Sequence, residues 1–401
     1  MNIPFSPPYI DQNVLNEVQD SLKSGWITTG PKVKSLEELV SFYTKAPNCL
    51  CVNSATSGLM LSLAWYGIRP GDEVIIPAYT YAATALAVLH IGATPVMVDI
   101  NEDFNISIEA IDQAINSKTK AIIPVDIAGW PCDYDTINHL IQKKKTIFEP
   151  NHPNQEKLGR ILNLSDSAHS IGAQYKNKPA GILADITVFS FHAVKNVTTA
   201  EGGCICLNLP EPFNNEDEYK FLRCISLNGQ TKDAFSKSQA GSWKYDIIYQ
   251  GFKINMPDVL AAIGVAQMPT YFNEVLEKRE TIYKYYNKFF GSKNWAILPP
   301  FQSKTSKSSC HLFALRIKNI TELERDKIIE LISKEGVAVN VHFQPLPILS
   351  LFKNKGFDIN DFPVAYNNYK NEISLPIYPQ LTNEQLLHIV NSVSKAVNTV
   401  I

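Results

Sequence analysis

Short apolar runs alternate with amphipathic helical stretches through the first two-thirds of this chain, and that alternation restricts the fold more than any other feature. Residues 50–52, 73–77, 95–99, 121–125, 162–164, 186–191 and 204–207 read as strands, each short and apolar. Residues 11–24, 34–43, 82–91 and 134–143 read as helices, and a further apolar helix runs to Tyr66. In the first of them Val14, Leu15, Val18 and Leu22 share a face, with Asp11 at the N-cap position. A β-α-β rhythm of this kind implies an α/β fold, a mostly parallel sheet covered by helices. Past residue 268 the rhythm changes. A charged helix is expected over 268–290, then helices over 322–334 and 382–397 among short strands at 312–317 and 337–342. The chain is therefore expected to divide into a large domain, residues 1–268, and a smaller α+β domain, residues 269–401.

Composition excludes several classes. Lys plus Arg number 37 and Asp plus Glu 39 in 401 residues, a net charge of −2, which removes the electrostatic case for nucleic-acid binding. A chain that is 45 % hydrophobic and 19 % charged packs a core and is not disordered. The uncharged stretch between Glu73 and Asp99 is long enough to span a bilayer. Pro77, Gly92, Pro95 and several polar side chains interrupt it, so strand, helix, strand is the reading and no membrane partner is expected. Seven cysteines without a CxxC, and no basic leader at the start, point to free thiols in a reducing cytoplasm. Histidines and cysteines lack metal-ligand spacing, so no metal site is expected. The polar stretch 143–160 reads as a solvated surface insertion.

Three segments carry chemistry. In residues 190–203 (SFHAVKNVTTAEGG) a strand delivers Lys195 into a loop of small and polar residues before the chain returns as another strand. A poorly solvated lysine there has the lowered pKa that an amine nucleophile needs; the alternative is a lysine reaching from a loop to water. In residues 165–169 (SDSAH), Asp166 lies near the C-terminal end of a strand, the edge at which open α/β sheets bind ligands. It is either the partner of a protonated ring nitrogen or a turn and capping aspartate, and His169 is either a ligand contact or a half-buried histidine. In residues 54–58 (SATSG), small residues precede a helix, which suits a phosphate on free backbone N–H groups or simple capping by Ser54 or Thr56.

Taken in order, these segments resemble one family, the pyridoxal-phosphate aminotransferases of nucleotide-linked keto sugars, called the DegT/DnrJ/EryC1/StrS family. The matching text includes residues 25–31 (GWITTGP), 70–77 (PGDEVIIP), 79–84 (YTYAAT), 92–99 (GATPVMVD), 165–173, 190–203 and 374–379 (SLPIYP). The resemblance covers essentially the whole chain and implies an aspartate-aminotransferase-like fold, PLP fold type I, with a smaller C-terminal domain. It implies pyridoxal 5'-phosphate as cofactor, held covalently by Lys195, the catalytic residue. Asp166 matches the residue that keeps the pyridine nitrogen protonated, and His169 stands near the phenolic oxygen. Tyr81 matches the aromatic that stacks on the ring. Thr56, Ser57 and Ser190 match the phosphate cradle. In residues 251–256 (GFKINM), Asn255 or Lys253 matches the residue that reaches the phosphate across a homodimer interface. The implied reaction moves an amino group from an amino acid, glutamate by resemblance, to a nucleotide-linked 4-keto-6-deoxy sugar for polysaccharide or glycan biosynthesis. Amination at C3, a free inosose acceptor, or a dehydratase using pyridoxamine phosphate are the alternatives.

Four departures from the family pattern stand out. Ala55 replaces a usual glycine in the phosphate turn, and Asp126 stands where histidine is common. The 143–160 stretch is longer than usual, and Leu346-Pro347 replaces Leu-His. These are expected to touch the phosphate turn, the substrate rim and the loops, not the central chemistry.

Overall fold

Nine short strands precede residue 208 in the structure, a computed structural model that describes residues 1–232 and 243–401. They are β1 (Asn48–Val52), β2 (Glu73–Pro77), β3 (Thr94–Val98), β4 (Thr119–Ile122), β5 (Leu162–Asp166), β6 (Gln174–Tyr175), β7 (Lys178–Pro179), β8 (Ile186–Ser190) and β9 (Gly203–Leu207). Seven of them make the central sheet in the order β1-β9-β8-β5-β4-β2-β3. β3, β2, β4, β5 and β8 run parallel, whereas β9 is antiparallel to both of its neighbours. The strands are buried on both faces, which is why they read as apolar runs without alternation. The pair β6–β7 and residues Ser306–Lys307 form a small separate sheet.

The first four helices are α1 (Gln12–Lys23), α2 (Pro31–Thr44), α3 (Ala55–Trp65) and α4 (Ala83–His90), of which α3 and α4 border the sheet's functional edge. Asp11 caps α1 by accepting from Val14 N at 3.0 Å, as its position predicts. The apolar face expected on α1 is only partly covered, since Val14 is buried but Leu15 and Leu22 are 55 % and 57 % exposed. A second apolar cluster lies in the C-terminal third, built from Tyr283, Tyr286, Phe290, Phe313, Ile373 and Val393. Each such burial contributes roughly 1.5–3 kcal/mol.

Three expectations are corrected. The helix expected over 268–290 continues from Asp258–Thr270 through a π-type turn at Tyr271–Val275 into Leu276–Phe290. Pro269 has no N–H to donate, and the wide turn that follows absorbs the broken ladder. Residues 337–342 form no strand, because Val337 bridges to Ile3 and Asn340 to Ser374, so their two ends are pinned to different partners. The stretch 143–160 is not merely solvated. Asn154 donates to Trp65 O at 2.7 Å, and the fully buried Gln155 donates to Tyr66 O at 3.1 Å. The insertion thus satisfies orphan carbonyls at the C-terminus of α3.

Candidate active site

A cavity of about 430 Å³ opens at the C-terminal ends of β5 and β8, within the size range of cofactor sites. Asp166, Ser190 and Lys195 line it from the sheet side, α3 contributes Ala55 and Thr56, and His311, His342 and Phe343 close it from the C-terminal third.

Asp166 ends β5 and is 6 % exposed. Its Oδ2 accepts the Thr84 hydroxyl at 2.8 Å, and its Oδ1 accepts Ala168 N at 3.3 Å. Burial raises the Asp166 pKa, while Thr84, Ala168 and the Lys195 charge pull it down. Lys195 follows β8 in the loop foreseen from sequence, with its own N donating to His192 O at 2.9 Å. Desolvation pushes its ammonium down to about 8, against the opposing pull of Asp166. A lysine so placed can hold or release a proton near neutrality.

His169 is buried, and its Nδ1 accepts Ala128 N at 3.2 Å. Desolvation, then the charges of Lys195 and His342, hold its pKa well below the ordinary value, so the ring is neutral. Because Nδ1 is an acceptor, the proton lies on Nε2, and that edge is a donor. The loop bearing Asp166 and His169 rests on Asp126, which is fully buried. Asp126 accepts from Ser170 Oγ at 2.7 Å, Tyr134 OH at 2.8 Å, Cys132 N at 2.9 Å and Ser167 Oγ at 3.1 Å. The expectation that this departure touches only the rim is therefore corrected: Asp126 braces the central residues from below.

At the N-terminus of α3, Ser54 caps the helix by accepting Ser57 N at 3.1 Å. Thr56 lines the cavity, whereas Ser57 binds the Ser54 hydroxyl at 2.9 Å and does not reach the lining. Ser190 is at the end of β8 on the opposite wall, with its Oγ accepting His192 N at 3.3 Å. Gly203 closes the turn: a Cβ there would lie 2.5 Å from Ala55 N.

Tyr81 is at the mouth, 64 % exposed, and tilts against Phe343 at 5.8 Å. Asn255 does not reach this cavity. Its Nδ2 donates to Thr29 Oγ1 at 2.5 Å and its Oδ1 accepts Lys253 Nζ at 2.7 Å. Sequence reasoning missed Thr84, His311, His342 and Phe343. His311 tilts against His169, with ring centroids 4.4 Å apart. His342 Nδ1 lies 2.9 Å from Ser374 Oγ, which donates to Glu372 Oε1 at 2.5 Å. Of these contacts only Ser374 falls in a segment the sequence singled out, residues 374–379, and nothing in its spacing joins it to Lys195.

Pyridoxal phosphate fits this set of groups. The first amides of α3 and the hydroxyls of Thr56 and Ser190 can take a phosphate, and the missing Gly203 Cβ lets β9 approach the start of α3 that presents them. A buried carboxylate lining the cavity, with Lys195 as its cationic neighbour, suits a protonated ring nitrogen. The description of the DegT/DnrJ/EryC1/StrS aminotransferase family matches residues 8–394. Spr1654 of Streptococcus pneumoniae, described as a candidate sugar aminotransferase and solved in PMP and PLP forms, superimposes with a TM-score of 0.96. Its PMP form is 44 % identical, and the match covers 100 % of both chains. The uncharacterised protein MJ1066 of Methanocaldococcus jannaschii is 40 % identical over 403 residues, covering 98 % of each chain. The spore coat polysaccharide biosynthesis protein SpsC of Bacillus subtilis is 33 % identical over 396 residues, 98 % of this chain and 96 % of its own. A match of this extent, on a cavity built for the cofactor, means that the chain belongs to the DegT/DnrJ/EryC1/StrS aminotransferase family and is a pyridoxal-phosphate-dependent sugar aminotransferase.

Proposed function

We propose that the enzyme transfers an amino group from an amino acid, glutamate in the first instance, to a nucleotide-linked 4-keto-6-deoxy sugar, with amination at C4. The observation that carries the chemistry is the pairing of Lys195 with Asp166 in one cavity, each perturbing the other's ionisation. His169 and the Lys253-Ile254-Asn255 variant favour C4 over C3. A role in polysaccharide or glycan biosynthesis draws on SpsC, whose name assigns it to spore coat polysaccharide. Lys195 disfavours the dehydratase reading, since that reaction has no use for a lysine at this place.

When bound, pyridoxal phosphate supplies the carbon that takes up and returns the amino group and a ring that withdraws electrons. Lys195 would hold it through Nζ and, once released, take and return a proton at that atom. Asp166, kept in place by Thr84, would accept from a ring N–H. His169 Nε2 would donate toward the phenolic oxygen, Tyr81 with Phe343 beside it would cover the ring, and Thr56, Ser57 and Ser190 would hold the phosphate, Ser57 through its bond to Ser54. A nucleotide far from the reacting carbon orients the keto group, so free keto sugar reacts far more slowly.

The same reading includes a cytoplasmic homodimer, in which Asn255 or Lys253 reaches the partner's phosphate site. Among the described residues no helix is long and apolar enough to cross a membrane. The division at 268/269 goes with it, drawn from a second apolar cluster that the C-terminal third shares with Ile3 alone among the first 268 residues. The test supplies UDP- and dTDP-linked 4-keto and 3-keto sugars with glutamate and locates the new amine by NMR. Amination at C3 overturns the regiochemistry, and equal rates with a free inosose overturn the nucleotide-sugar reading.

A further inference from the structure

The sequence spacing of the cysteines suggests scatter, but the sheet gathers four of them. β1 and β9 pair antiparallel with Cys49 opposite Cys206 and Cys51 opposite Cys204. Alternate residues of a strand share a face, so all four thiols project to the same side. The other side is identified by Val52 and Ile205, which crowd Gly58 of α3. The thiols therefore lie away from the catalytic cavity, in the layer under α2, where Thr44 bonds Cys206 and Glu37 accepts Cys51 N at 2.9 Å. Cys49 and Cys206 Sγ are 3.4 Å apart, and the sulfurs of Cys49, Cys204 and Cys206 all lie within 4.8 Å of one another.

We propose that Cys49, Cys204 and Cys206, with Cys51 as a fourth ligand, form a thiolate site for a d10 cation of the zinc class. Zinc–sulfur bonds of about 2.3 Å place tetrahedral sulfurs ~3.8 Å apart, which small side-chain rotations reach from the separations of Cys49, Cys204 and Cys206, while Cys51, bonded to Cys204, turns further. The site is soft and dry, and thiolates select zinc-like cations over magnesium or calcium. Cysteine also serves as a small apolar core residue, but core filling does not call for thiols bonded to thiols. The four are at most 3 % exposed. Cation binding releases the thiol protons to solvent and transfers no electrons. β1 is the edge strand of the sheet, so the site closes when that strand docks, and the cation would enter during folding.

The experiment uses the full chain with its cofactor, produced in zinc-supplemented medium and purified under reducing, chelator-free conditions. Inductively coupled plasma mass spectrometry should find about one zinc per chain. Refolding with Cd2+ should give a sulfur-to-cadmium charge-transfer band in the near ultraviolet, apart from the cofactor's absorption. Cys204→Ala and Cys206→Ala should lose the metal while cofactor absorbance reports a folded site. Cys224→Ser, outside the cluster, should keep it. If either alanine variant fails to fold, the cadmium band of the wild-type chain and its loss in Cys49→Ala decide the matter. The proposal falls if the wild-type chain holds no zinc or cadmium and all seven thiols of the sequence titrate free on denaturation. It falls equally if two of those thiols are lost to a Cys49–Cys206 disulfide, or if the cluster variants retain the metal.

Discussion

The Thr84 hydroxyl donates to Asp166 Oδ2 at 2.8 Å, tying α4 to the carboxylate that ends β5. Thr80 in turn lies 2.9 Å from Thr84, so two hydroxyls orient one buried acid. A hydrogen bond to a charged group contributes roughly 1.5–3 kcal/mol. Thr84→Val keeps the shape and removes the donor. We expect kcat/KM to fall by about ten- to a hundredfold, with the cofactor still bound, in a steady-state assay of purified holoenzyme. Unchanged kinetics would show that Asp166 needs no orienting partner.

Lys195 has a pKa pushed down to about 8, and its neutral amine is the reactive form. In cofactor-free enzyme, labelling of Lys195 by trinitrobenzenesulfonate should rise with pH and level off above a midpoint near 8. Asp166 holds that value up, so Asp166→Asn should move the midpoint lower. Borohydride reduction of the holoenzyme, followed by peptide mapping, should place the cofactor on Lys195. A label on a different lysine ends the assignment.

Where local pattern and covalent order carry the information, the sequence is enough. The loop carrying Lys195, the strand end at Asp166 and the capped start of α3 are each local, and each lies where its segment predicts. What escapes is made by distant pairings. Thr84 reads as one polar residue in an uncharged stretch until β2 and β5 become near neighbours in the sheet. The cysteine cluster depends on β9 turning antiparallel beside β1, a choice that no residue of either strand announces. Asp126 looks like a rim substitution until four donors, from residues 132–134 and 167–170, converge on it.

Glu372 is fully buried beneath His342, and burial pushes its carboxyl up to about 8. The folded chain thus keeps a proton that the unfolded chain releases from its ordinary value of 4.5 upward. Stability from this group is complete below that lower value and is lost as pH rises through the upper one. Glu372→Gln mimics the protonated state and should remove the loss. The Tm of cofactor-free wild type, measured against that of the variant, should therefore drop by a few degrees between pH 5 and pH 8.5. A constant difference across that range would mean that Glu372 is ionised in the folded protein.

Gly203 passes the N-terminus of α3 so closely that an added Cβ would meet backbone, 2.5 Å from Ala55 N and 2.7 Å from Ser54 C. Backbone cannot swing aside as a side chain can, and overpacking of this kind costs about 1–3 kcal/mol. Gly203→Ala should raise the dissociation constant for pyridoxal phosphate by roughly tenfold, read by fluorescence titration. The fold should survive, because β9 keeps its pairing on both sides. Wild-type affinity in the variant would move the phosphate away from this turn.

Exposed apolar side chains gather near the segment that carries Asn255. Leu22 and Ile27 are 57 % and 53 % exposed. The loop holding Ile27 is bonded to this segment, since Asp258 N donates to Thr28 O at 3.2 Å and Thr29 Oγ1 to Met256 O at 2.6 Å. An obligate interface buries ~2,000 Å² or more and is apolar, and exposed apolar side chains beside this segment suit one. The wild-type chain should sediment as a dimer at micromolar concentration. Leu22→Glu with Ile27→Glu should shift it toward monomer and lower cofactor occupancy together with activity, because the partner's Asn255 or Lys253 would no longer reach the phosphate. Asn255→Ala should weaken cofactor binding while leaving the dimer intact, which separates loss of the contact from loss of assembly. A monomeric variant with full activity would mean that each chain completes its own site.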